Sequence, residues 1–484
     1  MIDEEPSVDE VAEAADAAGD RALDLAAAGE YDAALAEARS AVEGYRQLAG
    51  SSPDVYRPDL AAALDSLASR LGDVGRRIEA LEASREAVAL LRDLAGQDPA
   101  AAGEDDSALF VPYLAAAMSN LSVRLHESGD DQAAVEMARE AVGLYRGLVT
   151  PPGQQVVQPI AGSLLPDAPD SREAAAPPLG EHSPGLAMAL GNLANRLDEA
   201  HRPSEALAIA GEAAAVYQQL AAADAAYLPG LAQTINNRAV LLRESGETAV
   251  AISTTRQAVN LYRQLAAAEP EVYRDYLAMA LGNLANMLVD AGRGRDALGV
   301  AQQATDLYRE LATDAEPHTG PDADNPYHAP LAMSLNNLAV HLSAAHRPDA
   351  ALAATEEASR LYRALARRNP QAHLGNLAGT LTNLGSDLAA AGKRDEALSA
   401  TREAVDVTRR LAFGNRPVYL PQLAQAVHQL AVRMDEAGRA SSALANAREA
   451  VRLYEELTLR DPDQYVDALQ RSRDFVSHLS ATTA

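Results

Sequence analysis

Apolar residues recur at helical spacing along the chain. In one stretch Leu277, Leu281, Leu284 and Leu288 stand at i, i+4, i+7 and i+11, which places them on one face of a helix. Gly292 follows, as is typical of the left-handed residue that ends a helix. A second apolar stripe comes next and consists of Ala297, Leu298, Ala301, Ala304, Leu307, Tyr308 and Leu311. The pattern predicts two helices joined by a tight turn.

This unit occurs nine times. A signature similar to Leu-Tyr-Arg in the second helix is centred on Tyr45, Leu91, Tyr145, Tyr217, Tyr262, Tyr308, Tyr362, Thr408 and Tyr454. Successive centres are 46, 54, 72, 45, 46, 54, 46 and 46 residues apart, so the underlying period is 46. Sequence periods of about 20–50 residues indicate stacked repeats. We therefore predict nine helix-turn-helix repeats, each with a first and a second helix.

One position, sixteen residues before each centre, marks the turn between the two helices. It is Gly in seven repeats, and it is His201 or His346 in the other two. His tolerates left-handed backbone angles better than most residues. Pro203 and Pro348 follow at positions that suit the first turn of a helix. We therefore predict that both His are turn residues rather than ligands.

A second position shows where the helices pack closely. Fifteen residues before eight of the turn positions the first helix carries a Leu, and in the second helix one position is Ala in all nine repeats. These Ala residues are Ala41, Ala87, Ala141, Ala213, Ala258, Ala304, Ala358, Ala404 and Ala450. A small residue in every repeat predicts a shared site of close helix contact.

The repeats divide the chain into four segments. Residues 8–149 are assigned to repeats 1–3 and residues 185–464 to repeats 4–9. Residues 150–184 contain eight Pro and are expected to form a surface loop. Residues 465–480 read as an unpaired first helix, which in repeat proteins caps the last exposed face.

Composition excludes several classes of function. The 484 residues carry a net charge of −28, which disfavours nucleic-acid binding through a basic face. With no Cys there is no disulfide, thiolate metal site or cysteine nucleophile. An acidic N-terminus and the lack of a long apolar run predict no signal peptide, no membrane span and a cytoplasmic protein. The single Lys393 among the basic residues, beside abundant Ala, suggests a bacterial genome rich in GC.

The repeat resembles the tetratricopeptide repeat. This family has large apolar or small residues before the turn, a Gly at the turn and Ala at two positions after it. The corresponding residues here are Leu281, Leu284, Ala285, Leu288, Gly292, Ala297 and Ala304. The chain departs from the family in its period of 46 rather than 34, its missing closing Pro and a small residue where an aromatic is usual. These features are closest to the kinesin-light-chain-like branch and its bacterial relatives. The resemblance implies an all-α, right-handed solenoid of nine repeats with a C-terminal capping helix.

The sequence carries no signature of catalysis or of metal binding. It has no phosphate-binding Gly loop, no His-Glu-x-x-His and no Gly-x-Ser-x-Gly. A loop at 313–330 holds His318, Asp322, Asp324 and His328, and these favour an acidic loop over a metal site. We therefore expect no enzyme activity, no cofactor and no bound metal.

Polar residues inside the first helices are the candidate binding residues. Asn is a poor residue for the middle of a helix, yet it recurs at one position as Asn120, Asn192, Asn237, Asn283, Asn337 and Asn383. Two repeats add Asn195 and Asn286 three residues later, on the same face. The resemblance implies that first helices line a concave groove. A ladder of amides there could hold an extended peptide backbone, or the Asn could instead bond to neighbouring helices.

Acidic residues follow seven positions after the Asn position. They are Asp73, Glu127, Glu199, Glu244, Asp290 and Glu436. Acids in the last turn of a helix oppose the helix dipole, so their recurrence suggests an acidic groove that prefers a cationic segment. The alternative is a solvated acidic face with no binding role.

The sequence favours a non-catalytic scaffold that binds an extended, cationic or polar peptide of a protein partner. Self-association is compatible with this function, and no nucleic-acid or membrane partner is expected. The alternative is a sensor module that binds a small molecule or peptide and controls a separate effector, an NTPase or a protease.

Overall fold

The computed structural model describes residues 7–96, 109–149, 179–315 and 325–483, and within them it contains nineteen α-helices and no β-strand. In chain order the helices are α1 (Val8–Ala27), α2 (Tyr31–Ser51), α3 (Pro53–Asp73), α4 (Arg77–Ala95), α5 (Val111–Glu127), α6 (Asp131–Val149), α7 (Ser183–Glu199), α8 (Pro203–Ala223), α9 (Leu228–Glu244), α10 (Thr248–Ala268), α11 (Pro270–Asp290), α12 (Gly294–Asp314), α13 (His328–Ala344), α14 (Pro348–Arg368), α15 (Pro370–Ala390), α16 (Arg394–Gly414), α17 (Arg416–Glu436), α18 (Ala440–Thr458) and α19 (Pro462–Thr483). Odd-numbered helices from α1 to α17 are the first helices of nine repeats, and even-numbered helices are the second helices. The predicted all-α solenoid of helix-turn-helix repeats is confirmed.

The chain divides into two compact units, residues 1–261 and 262–484. In the first unit each helix packs on the next from α1 to α9, and each first helix also contacts the first helix of the following repeat. The second unit repeats this arrangement from α11 to α19. Helix α19 packs against α18 and contains the segment 465–480 that was expected to cap the repeats. The expected loop is largely outside the described residues, which resume at 179.

The turns inside the repeats follow one geometry. His201 and His346 have φ angles of 57° and 56°, in the left-handed region that Gly occupies in the other seven turns. The next residue closes the helix end, since the N–H of Arg202 donates to the carbonyl of Leu197 at 2.8 Å. Pro203 and Pro348 begin α8 and α14. The prediction that both His are turn residues is confirmed.

The core consists of the repeated Ala and Leu positions. All nine of the recurrent Ala residues are buried, which allows the two helices of a repeat and the next first helix to approach closely. The Tyr of the signature packs across the junction between repeats. A Cβ added to Gly185 would lie 2.4 Å from the ring of Tyr145, and one added to Gly230 would lie equally close to the ring of Tyr217. Tyr side chains thus fill the space left by Gly in the following first helix.

Candidate functional site

The eight predicted Asn lie on one side of the first helices, which we call the Asn face. All eight are partly exposed. Four of them donate a hydrogen bond to the preceding first helix: Asn120 to Asp65 (2.8 Å), Asn192 to Ser119 (2.8 Å), Asn237 to Asn195 (3.4 Å) and Asn383 to Asn336 (3.0 Å). Contacts between neighbouring helices, which the sequence left as an alternative, are therefore part of the role of these amides.

The Asn side chains that bridge the repeats still have oxygen atoms that can accept hydrogen bonds. In each of the four bonds the side-chain nitrogen is the donor, and the side-chain oxygens of Asn120, Asn192 and Asn383 accept no hydrogen bond from a described residue. Asn286 and Asn337 make no side-chain hydrogen bond with the described part of the chain. Because an amide can donate and accept at once, one residue can brace two helices and still accept from a ligand.

The predicted acids are largely neutralised within their own helices. Four of the six pair with an Arg three residues earlier: Arg70 with Asp73 (3.4 Å), Arg124 with Glu127 (2.7 Å), Arg196 with Glu199 (2.9 Å) and Arg433 with Glu436 (2.6 Å). Glu244 and Asp290 are exposed and form no ion pair with a described residue. The carboxylates thus leave a weaker negative field on this side than their number suggests.

Sequence reasoning missed the Arg partners, although their spacing is regular. Each stands four residues after the Asn position, where the other repeats have Asp24, Leu241, Met287, His341 and Asp387. Because residues four apart share a helix face, the spacing alone could have shown that Arg lies between the Asn and the acid.

A charged cluster links α5, α6 and α7 in the first unit. Arg196 is only 8% exposed, and burial lowers the pKa of its guanidinium, an effect partly offset by Glu199. Nδ1 of His126 lies 2.7 Å from Asp131 and 3.3 Å from Glu199. Gly72 leaves room for Arg124, since a Cβ there would lie 2.0 Å from Nη1 of Arg124. The cluster therefore connects α5, α6 and α7, and Gly72 lets Arg124 pack closely against α3.

In the second unit the Asn face forms a trough on α13, α15 and α17. This trough has a volume of about 410 Å³, and no charged side chain lines it among the described residues. Amides dominate the lining: Asn336, Asn337, Asn376, Asn383, Gln422 and Gln425. Tyr362 and Thr408, from the signature position of the second helices, also line it. Two of the eight predicted Asn are brought together here.

Exposed Met residues occupy one column of the same face. Met188, Met279 and Met333 each stand two residues after the first-helix Leu and are 45%, 38% and 52% exposed. Met is flexible and polarisable, and it adapts to varied apolar groups. Sequence reasoning missed this column because a single Met at helical spacing is usually core.

Ion pairs connect successive second helices in a constant register. The Arg after the signature centre pairs with a Glu five residues before the next centre, as in Arg46–Glu86 (2.5 Å), Arg92–Glu140 (2.8 Å), Arg146–Glu212 (2.6 Å), Arg309–Glu357 (3.1 Å), Arg363–Glu403 (2.7 Å) and Arg409–Glu449 (2.8 Å). The paired residues are 40, 48 or 66 positions apart, always six fewer than the repeat spacing. The pairing is thus the same whatever the length of the insertion between repeats.

Other chemistry has no support in the described residues. No group of three or more His, Asp or Glu there could hold a metal ion. His318, Asp322 and Asp324 fall outside the described residues, and His328 begins α13. In the described part of the chain no helix is both long and apolar enough to cross a membrane.

Comparisons with known structures return helical repeat proteins. The chain is similar to BtubC (BKLC) from P. vanneervenii, with 20% identity over 60% of this chain and 95% of that one and a TM-score of 0.43. It is also similar to a signal transduction ATPase with numerous domains from Pyrococcus horikoshii that has a tetratricopeptide repeat sensor. There the identity is 12% over 84% of this chain and 55% of that one, with a TM-score of 0.49. No curated protein matches the sequence.

The family model that matches is the tetratricopeptide repeat. It matches residues 60–101, 114–149, 186–224, 277–312 and 377–412. Each segment begins at the first-helix Leu of a repeat, namely Leu60, Leu114, Leu186, Leu277 and Leu377. The match therefore has the register that the helices adopt in the structure. The chain therefore contains repeats of the tetratricopeptide repeat family.

Proposed function

We propose that this protein is a non-catalytic scaffold whose Asn face binds an extended, polar segment of a partner protein. The tetratricopeptide repeat fold is typical of scaffolds for protein interaction. The observation that carries the finer proposal is the amide-lined trough on α13, α15 and α17. It is a concave surface with donors and acceptors and no charge, which suits a peptide backbone.

The free amides in the trough supply the binding groups. Asn376 is exposed and, like Asn337, makes no side-chain hydrogen bond with a described residue. Each offers a donor and an acceptor, and a peptide unit presents the complementary pair. Amides also lose less solvation free energy than charged groups when a ligand covers them. Met333 beside them can contact an apolar side chain of the same segment.

The lack of charge in the lining of the trough favours a bound segment whose central residues are uncharged. Among the described residues no carboxylate lines it. The net charge of −28 still attracts cationic segments over a distance. That attraction is screened beyond about 8 Å at physiological ionic strength. We therefore place the cationic preference in the flanks of a bound segment and the polar preference in its core.

Selection of peptides from a random dodecamer library on the full chain tests this function. We expect enriched peptides whose central residues are uncharged. Their affinity should fall about tenfold or more in Asn337→Ala/Asn376→Ala, which removes two hydrogen-bonding groups. Asn260→Ala, an exposed Asn on a second helix, is the matched control and should leave affinity unchanged. Helical content and melting should stay near wild type in both variants.

Two results would refute the proposal. One is an absence of enriched peptides. The other is enrichment of peptides with Lys or Arg throughout that bind the double variant and the wild type equally. In that case the general acidity of the chain, and not the trough, would account for binding.

A further inference from the structure

A second surface, which shares no lining residue with the trough, lies between the second helices of the last two repeats. It is an open cavity of about 690 Å³ lined by residues of α16, α17 and α18. Ala412, Leu423 and Leu453 are buried and form its apolar floor. Two ion pairs cross it, Arg409–Glu449 and Arg416–Glu456. We call it the Phe413 cavity after the aromatic residue in its lining.

Phe413 is the most unusual residue of this surface. Its side chain is 97% exposed, although the chain has only three Phe and no Trp. The equivalent position, five residues after the signature centre, is Gly, Ala, Thr or Arg in seven other repeats and the exposed Leu459 in the last one. Packing of the repeats therefore does not require an aromatic ring there. A large aromatic side chain held in water beside an apolar floor is typical of a binding anchor.

The charged side chains that line the cavity indicate which charge a partner should carry. Arg409 donates two hydrogen bonds of 2.8 Å to the carboxylate of Glu449. Arg416 donates two to the carboxylate of Glu456, at 2.6 and 3.1 Å. Arg452 also lines the cavity, is exposed and forms no ion pair with a described residue. Three Arg against two Glu leave one positive charge uncompensated, in a chain whose net charge is −28. An acidic group on the partner would complete the pairing.

We propose that the Phe413 cavity binds a short partner segment in which a carboxylate side chain precedes a large apolar side chain. The carboxylate pairs with Arg452, and the apolar side chain packs against Phe413 over the floor of Leu423 and Leu453. This site is separate from the trough of the Asn face, so a partner could occupy both. The proposal does not depend on the function proposed above.

The three Phe of the chain allow a direct test by ¹⁹F NMR on full-length protein labelled with 4-fluorophenylalanine. The signal of Phe413 is assigned by Phe413→Leu, and Phe110 and Phe475, which are half-buried, serve as internal controls. The probe is a capped peptide that carries one Glu before a Leu-Phe pair. We expect a saturable shift of the Phe413 signal alone, and about tenfold weaker binding of the same peptide with Lys in place of Glu.

The variant Arg452→Gln separates the ion pair from general electrostatics. It should abolish the preference for Glu over Lys, and Arg448→Gln, an exposed Arg one turn earlier on α18, should retain it. Both changes are on the surface and leave the floor of the cavity intact. The proposal is overturned by the absence of a saturable shift, by equal binding of the Glu and Lys peptides, or by a preference that survives in Arg452→Gln.

Discussion

Replacing Gly185 by Ala should destabilise the first unit even though Ala is the better helix former. The added Cβ would lie 2.4 Å from Cε1 and 2.6 Å from Cζ of Tyr145, well inside the usual carbon contact distance of about 3.5–4.0 Å. Tyr145 is buried among the apolar residues of α6, α7 and α8, so its ring has little room to move. Overpacking typically costs about 1–3 kcal/mol and the helix gains about 0.5–1 kcal/mol from Ala. We expect a net loss of about 1–2 kcal/mol.

Gly191→Ala on the same helix is the matched control. No atom lies within 4 Å of a Cβ placed there, so the change should stabilise by about 0.5–1 kcal/mol. Thermal unfolding followed by circular dichroism at 222 nm should show opposite shifts, of about 2–4 °C per kcal/mol for a unit of this size. Repeat 2 has Leu91 at the position of Tyr145. In a Tyr145→Leu background, Gly185→Ala should therefore no longer lower the free energy of unfolding. Equal effects of the two Gly changes, or a penalty that persists with Leu at 145, would refute the packing argument.

Two further predictions concern His residues. His341 is buried with neither ring nitrogen hydrogen-bonded to a described residue, and burial lowers its pKa. The folded state favours the neutral imidazole of His341. Above the unfolded pKa of about 6.5 the imidazole is neutral in both states and does not change the free energy of unfolding. As the pH falls below that value the unfolded state binds the proton more readily, so the folded state loses stability. His341→Met introduces the residue that stands at the equivalent position of another repeat, Met287. The midpoint of urea unfolding should fall less between pH 7.5 and 5.5 in this variant than in the wild type. An equal fall in both proteins would show that other groups cause the pH dependence. At the turn, His201→Gly should raise the melting temperature and His201→Val lower it, because φ is 57° there; similar melting of the two variants would contradict this.

The repeats could be read from sequence because their signals are local. A Leu such as Leu277 repeats at helical spacing, and the turn residue follows after a constant interval. His201 shows how far this extends: its register alone predicted a left-handed turn, and the structure has it. The matched family segments start at the same Leu positions that the spacing had identified. Local spacing therefore predicted the helices and the turns between them.

The chemistry of the candidate site was less accessible to sequence because it depends on pairs that are far apart along the chain. Asn383 was predicted as a binding residue, but it also donates to Asn336, 47 positions away. Glu127 and Glu199 suggested free negative charge until each proved to be paired with an Arg of its own helix. The residue type shows what a side chain can bind, whereas its neighbours determine how much of that capacity remains.

The sequence by itself determined that the chain is a stack of helix-turn-helix repeats, because helix periodicity, turn residues and small packing positions act within a few residues. Only the tertiary structure decided which polar residues line one surface. It brought the amides of α13, α15 and α17 into one uncharged trough, and it left Phe413 and Arg452 exposed beside an apolar floor. The physical reason is that burial and charge pairing are properties of contacts between repeats, and these contacts exist only once the helices have stacked.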